Sequence, residues 1–220
     1  MISSNALVAL VLIGIALAIM SFVRVQVRAV RVRVPRESDP GKFEALRALA
    51  EESPSAANML ELAEALEAGG MAADAAALYR KVLATDERDR QALHGLARCA
   101  VDQGDPQEGV KLLGKLMELD RGFRDYRAAL DYAEALWQAD AHDDAVDFAE
   151  AMAAHTGRIN HWVAAAHYAG LAGHRDRARE SLERGLAGWA ASPPAEQQQR
   201  QRWERRARTM LRQLDHPSDG

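Results

Sequence analysis

At 220 residues the chain has room for one ordinary domain and an attachment, which sets a multi-domain enzyme aside. Aromatic residues make up only 5% of it, while Ala, Leu, Glu and Arg dominate and Val, Ile and Thr are sparse after residue 34, so the body is predicted to be all-α. One cysteine, Cys99, excludes an internal disulfide and a thiolate-paired metal site. The net charge of −4 hides a segregation: residues 1–36 carry five Arg and no acid, residues 56–192 carry 15 basic against 23 acidic side chains, and residues 193–220 carry six Arg against four acids.

The first element is apolar. From Ala6 to Val23 there are eighteen residues with no charge and one polar side chain, Ser21. As a helix this stretch is about 27 Å long, close to the hydrocarbon thickness of a bilayer, and it is predicted to span a membrane once. The preceding Met1-Ile2-Ser3-Ser4-Asn5 holds no basic residue, and Arg and Val follow the apolar core, which departs from a cleavable signal peptide. Gly14 and Ala18 would let two such helices approach, so a homo-oligomer is allowed.

Residues 23–35, VRVQVRAVRVRVP, continue that helix into the headgroup region. Arg24, Arg28 and Arg31 fall on one helical face and Val23, Val27, Val30 and Val34 on another, whereas a strand would slip register at Ala29-Val30. The β-branched residues keep the strand reading alive. Arg24, Arg28, Arg31, Arg33 and Arg36 flank the span on one side only, so the positive-inside rule places the rest of the chain in the cytoplasm, with localisation to the inner membrane. Residues 1–34 are therefore expected to form the anchor with its basic juxtamembrane segment. PRESDPG, with two prolines and a glycine, marks a linker over residues 35–41.

From residue 42 to 214 the chain repeats itself. A small residue recurs at Ala75, Gly109, Ala145 and Ala178, at spacings of 34, 36 and 33. Upstream of each runs a second helical pattern: Met59-x-x-Leu62-Ala63, Leu93-x-x-Leu96-Ala97, Ala129-x-x-Tyr132-Ala133 and Trp162-x-x-Ala165-Ala166. Gly70, Gly104, Asp140 or Gly173 separates the two helices of each unit. The pattern resembles the tetratricopeptide repeat (TPR), which implies an α-solenoid of about four helix hairpins over residues 56–89, 90–123, 126–159 and 159–192.

Small side chains at Ala63, Ala97, Ala133 and Ala166 and in the Ala75 series let paired helices approach, while Tyr79, Leu113, Ala149 and Leu182 fill the space between hairpins. Arg124-Asp125 are two extra residues before the third unit. A short helix with Phe43, Leu46 and Leu49 is expected to cap one end. Past Pro193-Pro194, residues 194–214 with Trp203, Ala207, Met210 and Leu214 at helical spacing cap the other, and residues 215–220 form a tail. The six Arg of that closing helix are read as a solvated face, because the acidic repeats beside them would repel phosphate, and nucleic acid is not expected as a partner. LELAEALEAGG, ALHGLARCAVDQGD and RQRWERRAR make the body similar to a bacterial family of divergent TPR proteins with a hydrophobic N-terminus.

No catalytic residue, cofactor or metal site is expected. The seven histidines include no H-x₃-H or H-E-x-x-H set, and no phosphate-binding loop or nucleophile elbow is present. Cys99 lies among Ala97 and Ala100 on an inner helix side and is read as a buried small residue; an enzyme would have only it and scattered His and Asp to offer. The TPR resemblance implies instead a protein or peptide partner on the concave face made by the first helix of each pair. Position by position it points to Glu64, His94, Arg98, Arg127, Leu130, Glu134, Trp137 and His167, with Trp137 as a hydrophobic anchor. Leu60 and Glu64 stand where chaperone-binding TPRs place clamp residues, so that clamp is not expected.

These expectations add up to a non-catalytic, membrane-anchored scaffold at the cytoplasmic face. Its plan resembles membrane-anchored TPR regulators of lipopolysaccharide synthesis, without their cysteine-paired metal module. The alternative is a periplasm-facing assembly factor for the envelope or for cytochrome biogenesis.

Overall fold

The computed structural model describes residues 40–215. The expected anchor, its five flanking arginines and most of the linker lie outside the described residues, as do residues 216–220. Within those bounds every regular element is a helix: α1 Pro40–Glu52, α2 Ala56–Ala68, α3 Ala72–Thr85, α4 Arg90–Asp102, α5 Pro106–Leu119, α6 Phe123–Gln138, α7 His142–Thr156, α8 Ile159–Leu171, α9 Arg175–Ala190 and α10 Pro194–Asp215. None of these is long and apolar enough to cross a membrane.

Four hairpins, α2/α3, α4/α5, α6/α7 and α8/α9, stack in chain order, with α1 against α2 and α10 against both α8 and α9. The local chemistry explains where each begins. Ser55, Asp89 and Asp105 accept backbone N–H bonds from Asn58, Ala92 and Glu108, and so cap α2, α4 and α5. Pro106 occupies the first turn of α5, where its missing donor costs nothing.

Each hairpin turns on one left-handed residue. Gly70, Gly104, Asp140 and Gly173 have φ of 79°, 84°, 60° and 81°. The next residue reaches back five positions: Met71 N–H to Leu66 O at 2.9 Å, Asp105 to Ala100 at 2.9 Å, Ala141 to Leu136 at 3.0 Å and His174 to Ala169 at 2.8 Å. This 6→1 closure satisfies carbonyls that the ending helix would orphan, and it needs positive φ, which explains glycine at three of the four turns.

The helices of a pair meet at small residues: Ala63, Ala75, Ala97, Ala133 and Ala145 are wholly buried, and Ala166 and Ala178 nearly so. Tyr79, Leu113, Ala149 and Leu182, at most 1% exposed, fill the layers between hairpins. Burying a side chain of that kind is worth roughly 1.5–3 kcal/mol for the larger ones. The caps differ in quality. Phe43 and Leu46 of α1 pack on the first cluster, but Leu49 is 43% exposed and does not join them. On α10, Ala207 is buried and Trp203, Met210 and Leu214 pack beside it on the last hairpin.

The two extra residues before the third unit take an unusual form. Arg124, Asp125 and Tyr126 all have positive φ (51°, 54° and 65°), so the chain makes a left-handed turn inside the start of α6. An L-residue there costs roughly 1–2 kcal/mol. Side-chain contacts on both sides offset it. Arg124 pairs with Glu64 of α2, Asp125 Oδ1 lies 2.6 Å from an Arg158 guanidinium nitrogen, and Tyr126 packs edge-on against His161 at 5.6 Å.

Candidate protein-binding face

The first helices α2, α4, α6 and α8 carry the residues singled out from the repeat pattern. A series of polar contacts links each to the next. Between α2 and α4, the amide of Gln91 donates to Glu64 Oε1 at 3.1 Å, and Arg98 pairs with Glu67. Glu67 is 4% exposed and also accepts from the Tyr79 hydroxyl at 3.3 Å. Burial disfavours the Arg98 charge, but the hydrogen bond and charge of Glu67 outweigh it, so the guanidinium titrates above its ordinary range. Burial first, then Glu67, pushes the Tyr79 phenol strongly upward, so it stays protonated and donates.

Between α4 and α6, His94 Nε2 lies 2.8 Å from Asp131 Oδ2, and Arg127 Nε lies 3.2 Å from Asp131 Oδ1. Burial raises the Asp131 carboxyl, but His94, Arg127 and Arg98 together hold it below the usual carboxylate range. Between α6 and α8, the Tyr168 hydroxyl donates to Glu134 Oε2 at 2.9 Å and Gln138 donates to Glu134 Oε1 at 2.9 Å. The Trp137 ring meets that of His142 at 4.1 Å and that of Tyr168 at 5.8 Å, tilted to both.

The eight residues expected to meet a ligand therefore divide. His94 is 1% exposed and belongs to the interior. Leu130 packs on the central core and Trp137 on the C-terminal core, so the indole acts as a joint between hairpins. Glu64, Arg98 and Glu134 are engaged with neighbouring helices. Arg127 keeps 60% of its side chain exposed and His167 is exposed as well. Leu60, at 8%, and Val163, at 2%, are also interior, although their repeat positions imply the concave surface. Where successive first helices face each other, their long polar groups pair with one another instead of standing free toward a ligand.

Asp131, Arg124 and Tyr168 are among the participants missed by repeat position. Asp131 lies one turn beyond Arg127, a spacing that could have flagged the pair. Arg124 belongs to the insertion, and Tyr168 reaches Glu134 from the position next to His167; neither has a signal in the repeat pattern.

Cys99 is fully buried, and burial, then Glu67, pushes its thiol up to about 12, far from a nucleophile. No group of three or more metal-ligating side chains occurs among the described residues.

Residues 66–130 match the tetratricopeptide repeat family. The chain finds no match among curated proteins. Solved structures with a similar fold include MamA (18% identity, TM-score 0.58, covering 66% of this chain and 85% of that one). MamA from residue 41 onward of Desulfovibrio magneticus RS-1 is another, at 12% identity and TM-score 0.52 over 75% of this chain and 97% of that one. A thermophilic TPR protein of Thermus thermophilus aligns at 14% identity and TM-score 0.52 over 74% of this chain and 90% of that one. The described body is an all-helical solenoid like those of these structures, with a tetratricopeptide repeat match over residues 66–130.

Proposed function

We propose that the protein is a non-catalytic scaffold that holds a protein or peptide partner on the face made by α2, α4, α6 and α8. The observation that carries this reading is the polar ladder itself. Glu67–Arg98, His94–Asp131 and Glu134–Tyr168 fix successive first helices to one another, so the face is held as one preformed surface. Preorganisation lowers the ordering cost of binding, which is what a scaffold surface needs. Arg127 and His167 then offer exposed polar contacts on that surface.

The solenoid is tethered through residues 6–23 to the inner membrane, with its repeats on the cytoplasmic side. Support comes from eighteen uncharged residues followed by five arginines on one flank. Protease accessibility of a C-terminal tag in intact and lysed spheroplasts tests the tether. Protection until lysis is the expected result. Digestion of intact spheroplasts would refute the cytoplasmic placement and favour a periplasmic assembly factor.

A further inference from the structure

Outside the ladder, α10 and His167 of α8 border a shallow, open groove of about 530 Å3, lined by His167, Arg205, Arg206, Thr209, Met210 and Gln213. Its chemistry is one-sided. Two guanidinium groups, an imidazole, a hydroxyl and a carboxamide face it, and among the described residues no carboxylate lines it. Elsewhere on α10 arginines are neutralised within the helix: Arg200 pairs with Glu196 at 3.6 Å and Arg208 with Glu204. The Arg206 guanidinium lies over the Trp203 ring at 5.9 Å, a contact that leaves its charge uncancelled.

By sequence the α10 arginines make a solvated face; their convergence with His167 gives two of them a common target. His167 is itself a first-helix residue, so the groove continues the proposed binding face onto the closing helix.

We propose that this groove receives an acidic segment of the partner protein, with its carboxylates held by Arg205 and Arg206. Guanidinium groups suit the task, since each presents a planar fork of donors that matches a carboxylate bidentately. Thr209 and Gln213 supply further donors, and Met210 gives an apolar floor for the methylene stems of Glu. A long nucleic acid is disfavoured, because the adjoining residues 56–192 carry eight more acidic than basic side chains and would repel its phosphates. A short acidic segment places its charge on the groove and little beyond it.

This inference rests on the scaffold reading, and the experiment separates the two. The full chain in detergent micelles is titrated with a fluorescent Glu-rich peptide and with its Gln counterpart at near-physiological ionic strength. The Glu peptide is expected to bind about tenfold tighter or better, and R205E/R206E is expected to remove that preference. R205Q/R206Q, which adds no repulsion, is expected to weaken the Glu peptide in the same direction. R80E/R88E, at exposed sites on α3 and in the loop after it, is expected to leave it unchanged. Equal binding of the two peptides, or equal binding by the wild type and both groove variants, overturns the proposal. So does displacement of the Glu peptide by inorganic phosphate at matched ionic strength, which would reveal an unspecific anion site. Self-association lost in R205E/R206E would assign the groove to a second copy and overturn it too. If the two peptides bind the wild type equally while a partner still cross-links from position 127, the groove alone has failed and the scaffold reading stands.

Discussion

Gly95 of α4 faces the ring of Tyr79 so closely that a β-carbon at Gly95 would lie 2.1 Å from Tyr79 Cζ. The ring cannot retreat, because it is 1% exposed and its hydroxyl is bonded to Glu67 at 3.3 Å. Gly95→Ala gains up to about 1 kcal/mol of helix propensity but forces an overpacked core costing roughly 1–3 kcal/mol or more. The clash should win, with a net loss of about 2 kcal/mol in urea unfolding. Gly170→Ala is the control: nothing lies within 4 Å of its β-carbon, so only the propensity gain should remain. Equal effects at the two sites would contradict the hairpin packing.

Arg98 and Glu67 form a largely buried pair, with side chains 23% and 2% exposed. Removing the cation leaves a carboxylate in the interior, which costs about 3–5 kcal/mol when fully buried and less here because Arg98 reaches solvent. Arg98→Gln should therefore lower stability by about 2 kcal/mol. Arg98→Glu should cost more, since it sets a second anion beside the first. Thermal unfolding of both variants checks the order; a reversed order would place Glu67 outside the pair.

His161 is 1% exposed, with Nδ1 2.7 Å from the Thr156 hydroxyl. Burial, then the neighbouring Arg158 charge, depresses its pKa from the ordinary 6.5 to about 4. Between those values the unfolded chain takes up a proton that the folded one refuses, so stability falls as pH drops through that window and levels off below it. The loss at its floor is about 3 kcal/mol. His161→Gln should flatten this part of the pH–stability curve, while the Asp131 contribution is lost only at lower pH. An unchanged slope would show that His161 is not held neutral.

Cys99 offers a simpler check. With its thiol pushed up to about 12 and no exposed surface, it should resist alkylation in the folded protein and react once denatured. Rapid labelling of the native chain would put α4 in a different rotation.

Much of this architecture was legible as local pattern, and the reason is physical. Gly70, Gly104 and Gly173 are visible because a left-handed turn excludes most other residues, and the Ala75 series because close helix packing tolerates only small ones. The candidate site was less legible. His94 and Trp137 share a first helix's spacing with exposed residues, but whether they point to solvent depends on how hairpins rotate against one another. That rotation is set by contacts far apart in sequence, such as Glu64 with Arg124 across 60 positions. The Arg124-Asp125 insertion was countable, yet its left-handed path was not, since of Arg124, Asp125 and Tyr126 only the aspartate is of a type enriched at positive φ.

The central claim is that partners dock on the first-helix face. It is tested most directly by a photo-crosslinking amino acid placed in living cells at Arg127, and separately at the exposed second-helix sites Arg80 and Lys111. The account predicts a discrete adduct from position 127 and none from the other two. Adducts from positions 80 and 111 with none from 127 would move the binding surface to the opposite side of the solenoid and contradict it.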